Sequence, residues 1–294
     1  MPNPEKALLP APFIVGASRS GTTLLRLMLD AHPDLAIPPE THFIPDAARA
    51  CQESSPSPEA FLAALIGHRC WPDQHVDAGL LRQRVLALQP FEPGAALRAF
   101  YHLYAERFGK ARWGDKTPPY QLHLRLIASL LPEAHFIHLI RDGRDVALSI
   151  KGLWFGPDSI AEAASWWVQR IQETRRQARS LPQYRELRYE DLVQNTEPAL
   201  RQVCQWIALP WDPAMLRYHE RAGERLCEID RAVQAVDGKR VIAAQDRMAI
   251  HAMTQHPPEP SRIGRWRQEM NAADLRRFQK IAGPLLQELG YELA

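Results

Sequence analysis

Residues 13–31 read FIVGASRSGTTLLRLMLDA and join a short apolar run, a glycine-containing turn and a longer apolar stretch. The run 13–15 is typical of a buried β-strand, and residues 23–31 have the length and apolar character of a buried helix. Gly16 and Gly21 lie five positions apart in the turn. Backbone N–H groups of such a turn can point at an anion, and the positive end of the helix dipole assists them.

Segments of the same two kinds alternate along the rest of the chain. Apolar runs predict strands at 34–37 and 134–140, with weaker candidates at 112–114 and 186–188. Residues 141–154 are typical of a turn followed by a helix, and 165–180 and 271–289 are typical of amphipathic helices. Strands that alternate with helices imply a parallel sheet, because parallel neighbours need a crossover between them. We therefore predict an α/β fold, a three-layer sandwich with a central parallel sheet between helices.

The composition is that of a soluble globular protein. The 294 residues are 46% hydrophobic and 24% charged, which excludes a collagen, a disordered tail and a disulfide mini-scaffold. The net charge is only +2, so nothing global indicates nucleic-acid binding. We expect a single domain over residues 1–294 that holds any bound anion through local groups.

Cysteines and targeting signals indicate a cytoplasmic protein. The four cysteines are far apart and have no metal-ligand spacing with one another or with histidines, which predicts a reduced chain without a metal site. The first residues lack a basic start followed by a long apolar run, and no segment is long enough to span a bilayer. We therefore expect no secretion and no membrane span.

Polar residues follow each predicted strand. In open parallel sheets, ligands gather beyond the carboxyl ends of the strands. This edge would combine cations, hydroxyl donors, one carboxylate and one aromatic ring, which predicts a site for a nucleotide with more than one anionic group. The residues, in strand order, are Arg19, Ser20, Gly21, Thr22 and Thr23 after the first strand, then Glu40, Lys116, Arg141 and Tyr189.

The glycine turn lacks the lysine of nucleotide triphosphatases. Thr22 stands where that lysine would hold the β and γ phosphates, and Arg19 supplies a cation from inside the loop instead. This substitution suits a shorter anion at the 5′ end of a nucleotide. The alternative is that the stretch is only a surface turn.

Arg141 and Ser149 are eight positions apart, the arginine at a strand end and the serine about two turns into the next helix. Both side chains can then bind one anion. The alternative for RDGRD is a solvated turn in which Asp142 and Asp145 pair with the two arginines.

Several motifs resemble those of sulfotransferases that use 3′-phosphoadenosine 5′-phosphosulfate (PAPS), and most closely the tyrosylprotein sulfotransferase branch with its bacterial relatives. Residues 19–45 resemble the 5′-phosphosulfate loop and the region after it, and FIHLIRDGRDVALSI at 136–150 resembles the 3′-phosphate motif. The resemblance continues in order through GDKTP at 114–118, RYEDL at 188–192 and the tail 265–291. It implies the phosphate-loop sulfotransferase fold, PAPS as co-substrate and 3′-phosphoadenosine 5′-phosphate (PAP) as product.

The resemblance also implies roles for single residues. Glu40 would be the catalytic base, and Lys116 would stabilise the leaving oxygen. Tyr189 would lie against the adenosine. The 5′-phosphosulfate would be held by Arg19, Ser20, Gly21, Thr22 and Thr23, and the 3′-phosphate by Arg141 and Ser149.

The partner that this implies is a hydroxyl-bearing acceptor, either a small molecule or a tyrosine peptide. Residues 44–112 and 212–260 differ most from the shared motifs and are expected to form the acceptor pocket and lid. A sulfuryl group carries less charge than a γ-phosphate, so arginines, a lysine and backbone amides are expected to suffice without a metal.

Other assignments remain open from the sequence. His42 is a rival base two residues after Glu40. A phosphate-loop kinase or other ATP user is a second reading, disfavoured by Thr22 and by the lack of an obvious carboxylate pair for magnesium. A nucleotide-binding module without catalysis is a third. Leu24 stands where many sulfotransferases have a tryptophan, and the register of SRIGRW at 261–266 is ambiguous, so Arg262 and Arg265 are not assigned.

Overall fold

A computed structural model describes residues 8–51, 57–235 and 241–294 of the chain. Within those ranges the strands are β1 (Ala11–Val15), β2 (Leu35–Ala36), β3 (Arg112–Trp113), β4 (Asp115–Lys116), β5 (Ala134–Ile140), β6 (Tyr184–Arg188), β7 (Val233–Gln234) and β8 (Val241–Ile242). The α-helices are α1 (Thr22–Asp30), α2 (Ile44–Ala50), α3 (Pro58–Ile66), α4 (Ala78–Leu86), α5 (Pro93–Glu106), α6 (Leu124–Leu130), α7 (Gly143–Ile150), α8 (Ile160–Ala178), α9 (Tyr189–Gln194), α10 (Thr196–Trp206), α11 (Ala222–Leu226), α12 (Ala244–Ala249), α13 (Trp266–Glu269) and α14 (Ala272–Glu288). Short 3₁₀ helices cover Trp71–Gln74, Pro118–Leu122, Pro213–Glu220, Cys227–Ile229, Ala252–Gln255 and Pro260–Arg262.

The central sheet has the strand order β4-β1-β5-β6, and all its neighbours are parallel. Alternate residues of β1 point to opposite faces. Phe13 and Val15 pack into a core that contains α2 to α6, whereas Ile14 packs into a second core that contains α1, α9 and α10. Each face of the sheet is thus covered by its own helices, and the predicted three-layer α/β sandwich is confirmed.

A third core lies at the end of the sheet around Trp167 of α8. It joins α7, α8, α13 and α14 to Ile140, the last residue of β5. The helix predicted at 165–180 in fact begins at Ile160. Ser159 and Glu162 form a reciprocal capping box at its start, which provides partners for backbone N–H groups there.

Lys116 lies inside a strand rather than after one. The strand predicted at 112–114 covers only β3, which pairs with β2 outside the central sheet. Gly114 then carries the chain to β4, where Lys116 is opposite Ile14 of β1. A Cβ atom on Gly114 would lie 2.7 Å from the carbonyl oxygen of Pro12, so this close crossing requires glycine.

None of the described helices combines the length and hydropathy needed to cross a membrane.

Candidate active site

A cavity of about 700 Å³ opens where the carboxyl ends of β1, β4 and β5 meet the C-terminal segments. Its wall brings together every site residue that the sequence predicted except Ser20. Those residues come from separate parts of the sequence and share one edge of the sheet, as the topology requires. They are Arg19, Gly21, Thr22, Thr23, Glu40, Lys116, Arg141, Ser149 and Tyr189.

Ser20 lies below the cavity wall. Its side chain is buried, and its Oγ has no hydrogen-bond partner. Its backbone N–H donates to the carbonyl of Ala17 at 3.1 Å, which closes the turn. Ser20 therefore supports the shape of the loop in this structure and does not face the cavity.

The glycine turn curves tightly before α1 begins. Arg19 and Gly21 both have left-handed backbone conformations, with φ of 73° and 95°. A Cβ atom on Gly21 would lie 2.4 Å from the ring of Tyr189, so that ring packs directly on the loop backbone. Thr22 and Thr23 follow in the first turn of α1, where backbone N–H groups have no partner within a helix. The loop thus presents N–H donors and two hydroxyls to the cavity.

Two arginines meet beside this loop. Arg19 Nε donates to Ser149 Oγ at 3.1 Å, and Arg141 Nη1 donates to the carbonyl of Arg19 at 3.2 Å. The Arg141 guanidinium lies 4.4 Å from the centre of the Tyr189 ring. Burial, together with the positive charges of Arg141 and Arg262, lowers the pKa of Arg19. Crowded cations of this kind favour the binding of an anion.

The turn RDGRD is buried rather than solvated, although its charges do pair with one another, Arg141 with Asp145 at 3.9 Å and Arg144 with Asp142. Asp142 caps α7 and pairs with Arg144 at 2.7 Å. Asp145 accepts the backbone N–H groups of Gly264 at 2.7 Å and Trp266 at 3.0 Å. The two carboxylates therefore hold the helix start and the C-terminal segment, and Arg141 reaches the cavity.

The C-terminal segment adds residues to the wall that the sequence left unassigned. Arg141 Nη2 donates to the carbonyl of Arg262 at 2.7 Å, and Arg19 Nη1 donates to the carbonyl of Ile250 at 3.0 Å. Arg262 and Arg265 both line the cavity. The motif SRIGRW was the signal for them, and the anchoring of its backbone by Asp145 fixes their register.

Glu40 and Lys116 form an ion pair at the cavity wall. Lys116 Nζ lies 2.7 Å from Glu40 Oε1 and 3.2 Å from Thr23 Oγ1, and the lysine is only 3% exposed. His42 Nε2 lies 2.9 Å from the other carboxylate oxygen, Oε2. Burial raises the pKa of Glu40, but Lys116 and His42 outweigh it and hold that pKa well below its usual range. Glu40 is therefore ionised at neutral pH.

His251 is a cavity residue that no sequence pattern indicated. It follows α12 in the C-terminal part of the wall. Burial and the nearby charge of Lys116 lower its pKa to about 3, so it carries no charge near neutral pH. A lone histidine in an irregular segment has no periodicity or spacing that would mark it.

The rest of the wall is mostly apolar. Residues from the loop after α7 and from the segment between α11 and the last 3₁₀ helices contribute most of it, and several of its charged side chains form a group near α3. The apolar members include Trp154, Phe155, Leu226, Ile229, Ile242 and Met253, and the charged group is Arg69, Asp73 and Arg247. Within the described part of the chain, no cluster of three or more His, Cys, Asp or Glu side chains has the arrangement of a metal site.

Comparison with known proteins agrees with the geometry. A family model described as "Sulfotransferase family" matches residues 10–213. Protein-tyrosine sulfotransferase 1 of Danio rerio is 26% identical over an alignment of 296 residues, which covers 97% of this chain and 73% of that protein.

Two solved structures show the same fold. The sulfotransferase domain from the Synechococcus PCC 7002 olefin synthase superposes with a TM-score of 0.59 at 23% identity, covering 97% of this chain and 96% of that one. Mouse sulfotransferase SULT7A1, complexed with PAP, superposes with a TM-score of 0.50 at 11% identity, covering 96% and 88%. The chain belongs to the sulfotransferase family.

Proposed function

We propose that this enzyme transfers a sulfuryl group from PAPS to a hydroxyl of an acceptor, with Glu40 as the general base and without a metal. One observation carries the proposal. A single cavity joins the arginine cluster of Arg19 and Arg141 to the ion pair of Glu40 and Lys116. One site can then bind a donor that has two anionic groups and also provide a base for the acceptor.

The wall fits the two anionic ends of PAPS. The 5′-phosphosulfate would lie on the loop, where Thr22 and Thr23 offer hydroxyls and backbone N–H groups beside Arg19. The 3′-phosphate would lie between Arg141 and Ser149. The PAP bound in the mouse structure supports the choice of nucleotide. Tyr189, stacked between Arg141 and the loop, would contact the adenosine.

The side chains at the ion pair suit an in-line displacement. Glu40 would accept the proton of the acceptor hydroxyl while that oxygen attacks sulfur. The bond from sulfur to the 5′-phosphate oxygen breaks, and negative charge develops on that oxygen. Lys116, held against Thr23 of the loop, would stabilise this charge. The sulfated acceptor and PAP are the products, and Glu40 returns its proton to solvent.

We propose a hydroxyl-bearing acceptor, because the Danio rerio relative is named a protein-tyrosine sulfotransferase. A tyrosine peptide and a small phenol or alcohol are both compatible with a base at Glu40. Segments 44–112 and 212–260 supply Arg69, Asp73, Leu226 and other wall residues away from the loop. We propose these segments as the acceptor pocket and its lid, within one sulfotransferase domain.

Turnover with defined acceptors tests the proposal. The protein is incubated with PAPS, excess EDTA and one of a simple phenol, an aliphatic alcohol or a tyrosine peptide, and PAP and sulfated product are quantified. We expect product with at least one acceptor class, and Glu40→Gln to lower kcat by about 10²–10⁴ while PAP binding is retained. Activity only with Mg²⁺ and ATP would indicate the kinase reading instead. PAP binding without any turnover would indicate a non-catalytic module.

A further inference from the structure

His42 occupies a strained backbone turn beside the proposed base. Its φ is +59°, in the left-handed region that non-glycine residues rarely adopt. The backbone N–H of Phe43 donates to the carbonyl of Thr41 at 2.8 Å, which closes a three-residue turn around His42. Such strain persists only where the surrounding structure enforces it, and it is often found at functional sites.

The residues on both sides of His42 enforce this turn. Thr41 is fully buried, and its Oγ1 bonds Asp115 Oδ2 at 2.8 Å and Tyr120 Oη at 2.7 Å. Phe43 is also fully buried, with its ring 5.1 Å from the ring of Phe100. With both neighbours fixed in the core, the turn directs the imidazole outward to the cavity wall and onto Glu40.

Each carboxylate oxygen of Glu40 then has its own hydrogen-bond partner. Lys116 binds Oε1 at 2.7 Å, and His42 Nε2 lies 2.9 Å from Oε2. A neutral imidazole with hydrogen on Nε2 donates to the carboxylate and fixes its orientation. A single partner would leave the carboxylate free to rotate about its terminal torsion, which is broad.

We infer that His42 is a positioning residue for Glu40. This inference rests on the proposed role of Glu40 as base. The imidazole fixes the carboxylate that accepts the acceptor proton.

Other ionisable groups also lie near His42 and Glu40. Lys116 and Asp115 come from β4, and His68 follows α3 near the ring of Phe43. Lys116 is an ion-pair partner of Glu40 with or without His42. His68 has its pKa lowered to about 4, chiefly by burial and also by His42, so it does not change charge between pH 5 and 8. Asp115, whose pKa burial raises to about 6, does change charge in that interval, so the variants are compared at one fixed pH.

Steady-state kinetics and a PAP titration at one fixed pH test the inference with His42→Gln and His42→Gly. Glutamine retains an N–H donor toward Glu40. Glycine tolerates the left-handed backbone, so it removes the side chain without added strain. We expect kcat of His42→Gln to stay within about threefold of wild type, because its amide can still orient the carboxylate. In His42→Gly kcat should be about 10- to 100-fold lower with PAP binding unchanged, because the base is no longer oriented.

Controls separate this inference from the proposed function. His135→Gln changes a histidine outside the cavity, and we expect it to keep the wild-type kcat. If His42→Gln loses as much activity as His42→Gly, or if His42→Gly keeps full activity, the role of His42 is wrong even where sulfation stands. If Glu40→Gln retains wild-type kcat in the same assay, the proposed base itself is wrong. Thermal unfolding of each variant verifies that it is folded.

Discussion

Lys116 Nζ lies 2.7 Å from Glu40 Oε1. This ion pair connects the loop side of the cavity with the side where an acceptor would lose its proton. The same ammonium donates to Thr23 Oγ1 at 3.2 Å. Lys116 reaches both because β4 pairs directly with β1, whose end leads into the loop. The parallel pairing of these two strands therefore determines the distance between the proposed base and the proposed anion site.

Replacing Lys116 with methionine should remove the charge and keep most of the side-chain volume. We expect kcat for PAPS-dependent sulfation to fall by about 10²–10³, because the developing charge on the leaving oxygen loses its nearest ammonium. PAP binding should change much less. Steady-state kinetics and a separate PAP titration measure the two effects.

Lys110→Met is the matched control for this substitution. Lys110 is also inside the fold, where its ammonium donates to the carbonyls of Asp30 and Leu35, but it does not line the cavity. We expect Lys110→Met to lower the unfolding temperature while kcat stays near wild type. Equal losses of kcat in both variants would mean that Lys116 has only a structural role.

Arg141→Gln should show which end of the nucleotide Arg141 binds, because PAP carries a 3′-phosphate and AMP does not. Charge-assisted hydrogen bonds contribute roughly 1.5–3 kcal/mol, so we expect PAP to bind about 10- to 100-fold more weakly. AMP lacks the 3′-phosphate, and its affinity should change less than about threefold under the same principle. Isothermal titration with both nucleotides measures this difference.

Arg185→Gln removes an arginine that is exposed on β6 and donates to the carbonyls of Pro182 and Tyr184. We expect it to bind both nucleotides as the wild type does. Parallel losses of PAP and AMP affinity in Arg141→Gln would contradict a 3′-phosphate site at this arginine.

Gly21→Ala should disrupt the loop for two reasons. Its φ of 95° disfavours any side chain, and the new methyl group would lie 2.4 Å from the Tyr189 ring. Gly109 is the control, because its φ is 64° and nothing lies within 4 Å of a Cβ atom there. We expect Gly109→Ala to cost about 1–2 kcal/mol of stability and to leave PAP binding intact. Gly21→Ala should cost more and weaken PAP binding; a binding constant equal to that of Gly109→Ala would show that the Tyr189 contact is unimportant.

The sequence predicted those parts of the fold that depend on local pattern. The bounds of β5 were predicted residue for residue, because AHFIHLI is a continuous apolar run, and the position of Arg141 at its end followed directly. The edge of the sheet also followed, since strand ends in a parallel sheet converge. Glu40, Lys116 and Arg141 were placed near one another by topology alone.

Residues that depend on contacts between distant segments were not predictable in this way. His251 and Arg262 reach the cavity because Arg19 and Arg141 hold the carbonyls of the C-terminal segment. Ser20 has the same local pattern as its neighbours, but the turn at Ala17 points it inward. The position of Lys116 within β4 depends on which strand pairs with β1, and two residues give too short a run to reveal it.

Asp115 should make the stability of this enzyme depend on pH. The residue is fully buried under the active-site turn, where Oδ2 accepts from Thr41 and Tyr101 while Oδ1 has no partner. Burial raises its pKa from the usual 3.8 to about 6, although these hydrogen bonds oppose the shift. The folded state therefore binds a proton more readily than the unfolded state does between these two values. The contribution of Asp115 to stability is therefore greatest below about pH 4, and it is lost as the pH rises through 6.

Asp115→Asn should remove this dependence, because asparagine does not titrate. From about pH 4 to 7 the wild type should lose roughly 2–3 kcal/mol of unfolding free energy relative to Asp115→Asn, at about 1.4 kcal/mol per unit of pKa difference. Denaturant unfolding at several pH values measures the slope, which is independent of any constant cost of burying the new amide. Asp158→Asn, at an exposed aspartate, should keep the wild-type slope. Parallel curves for wild type and Asp115→Asn would mean that Asp115 is not protonated in this range, and that the buried turn beneath His42 carries a full charge.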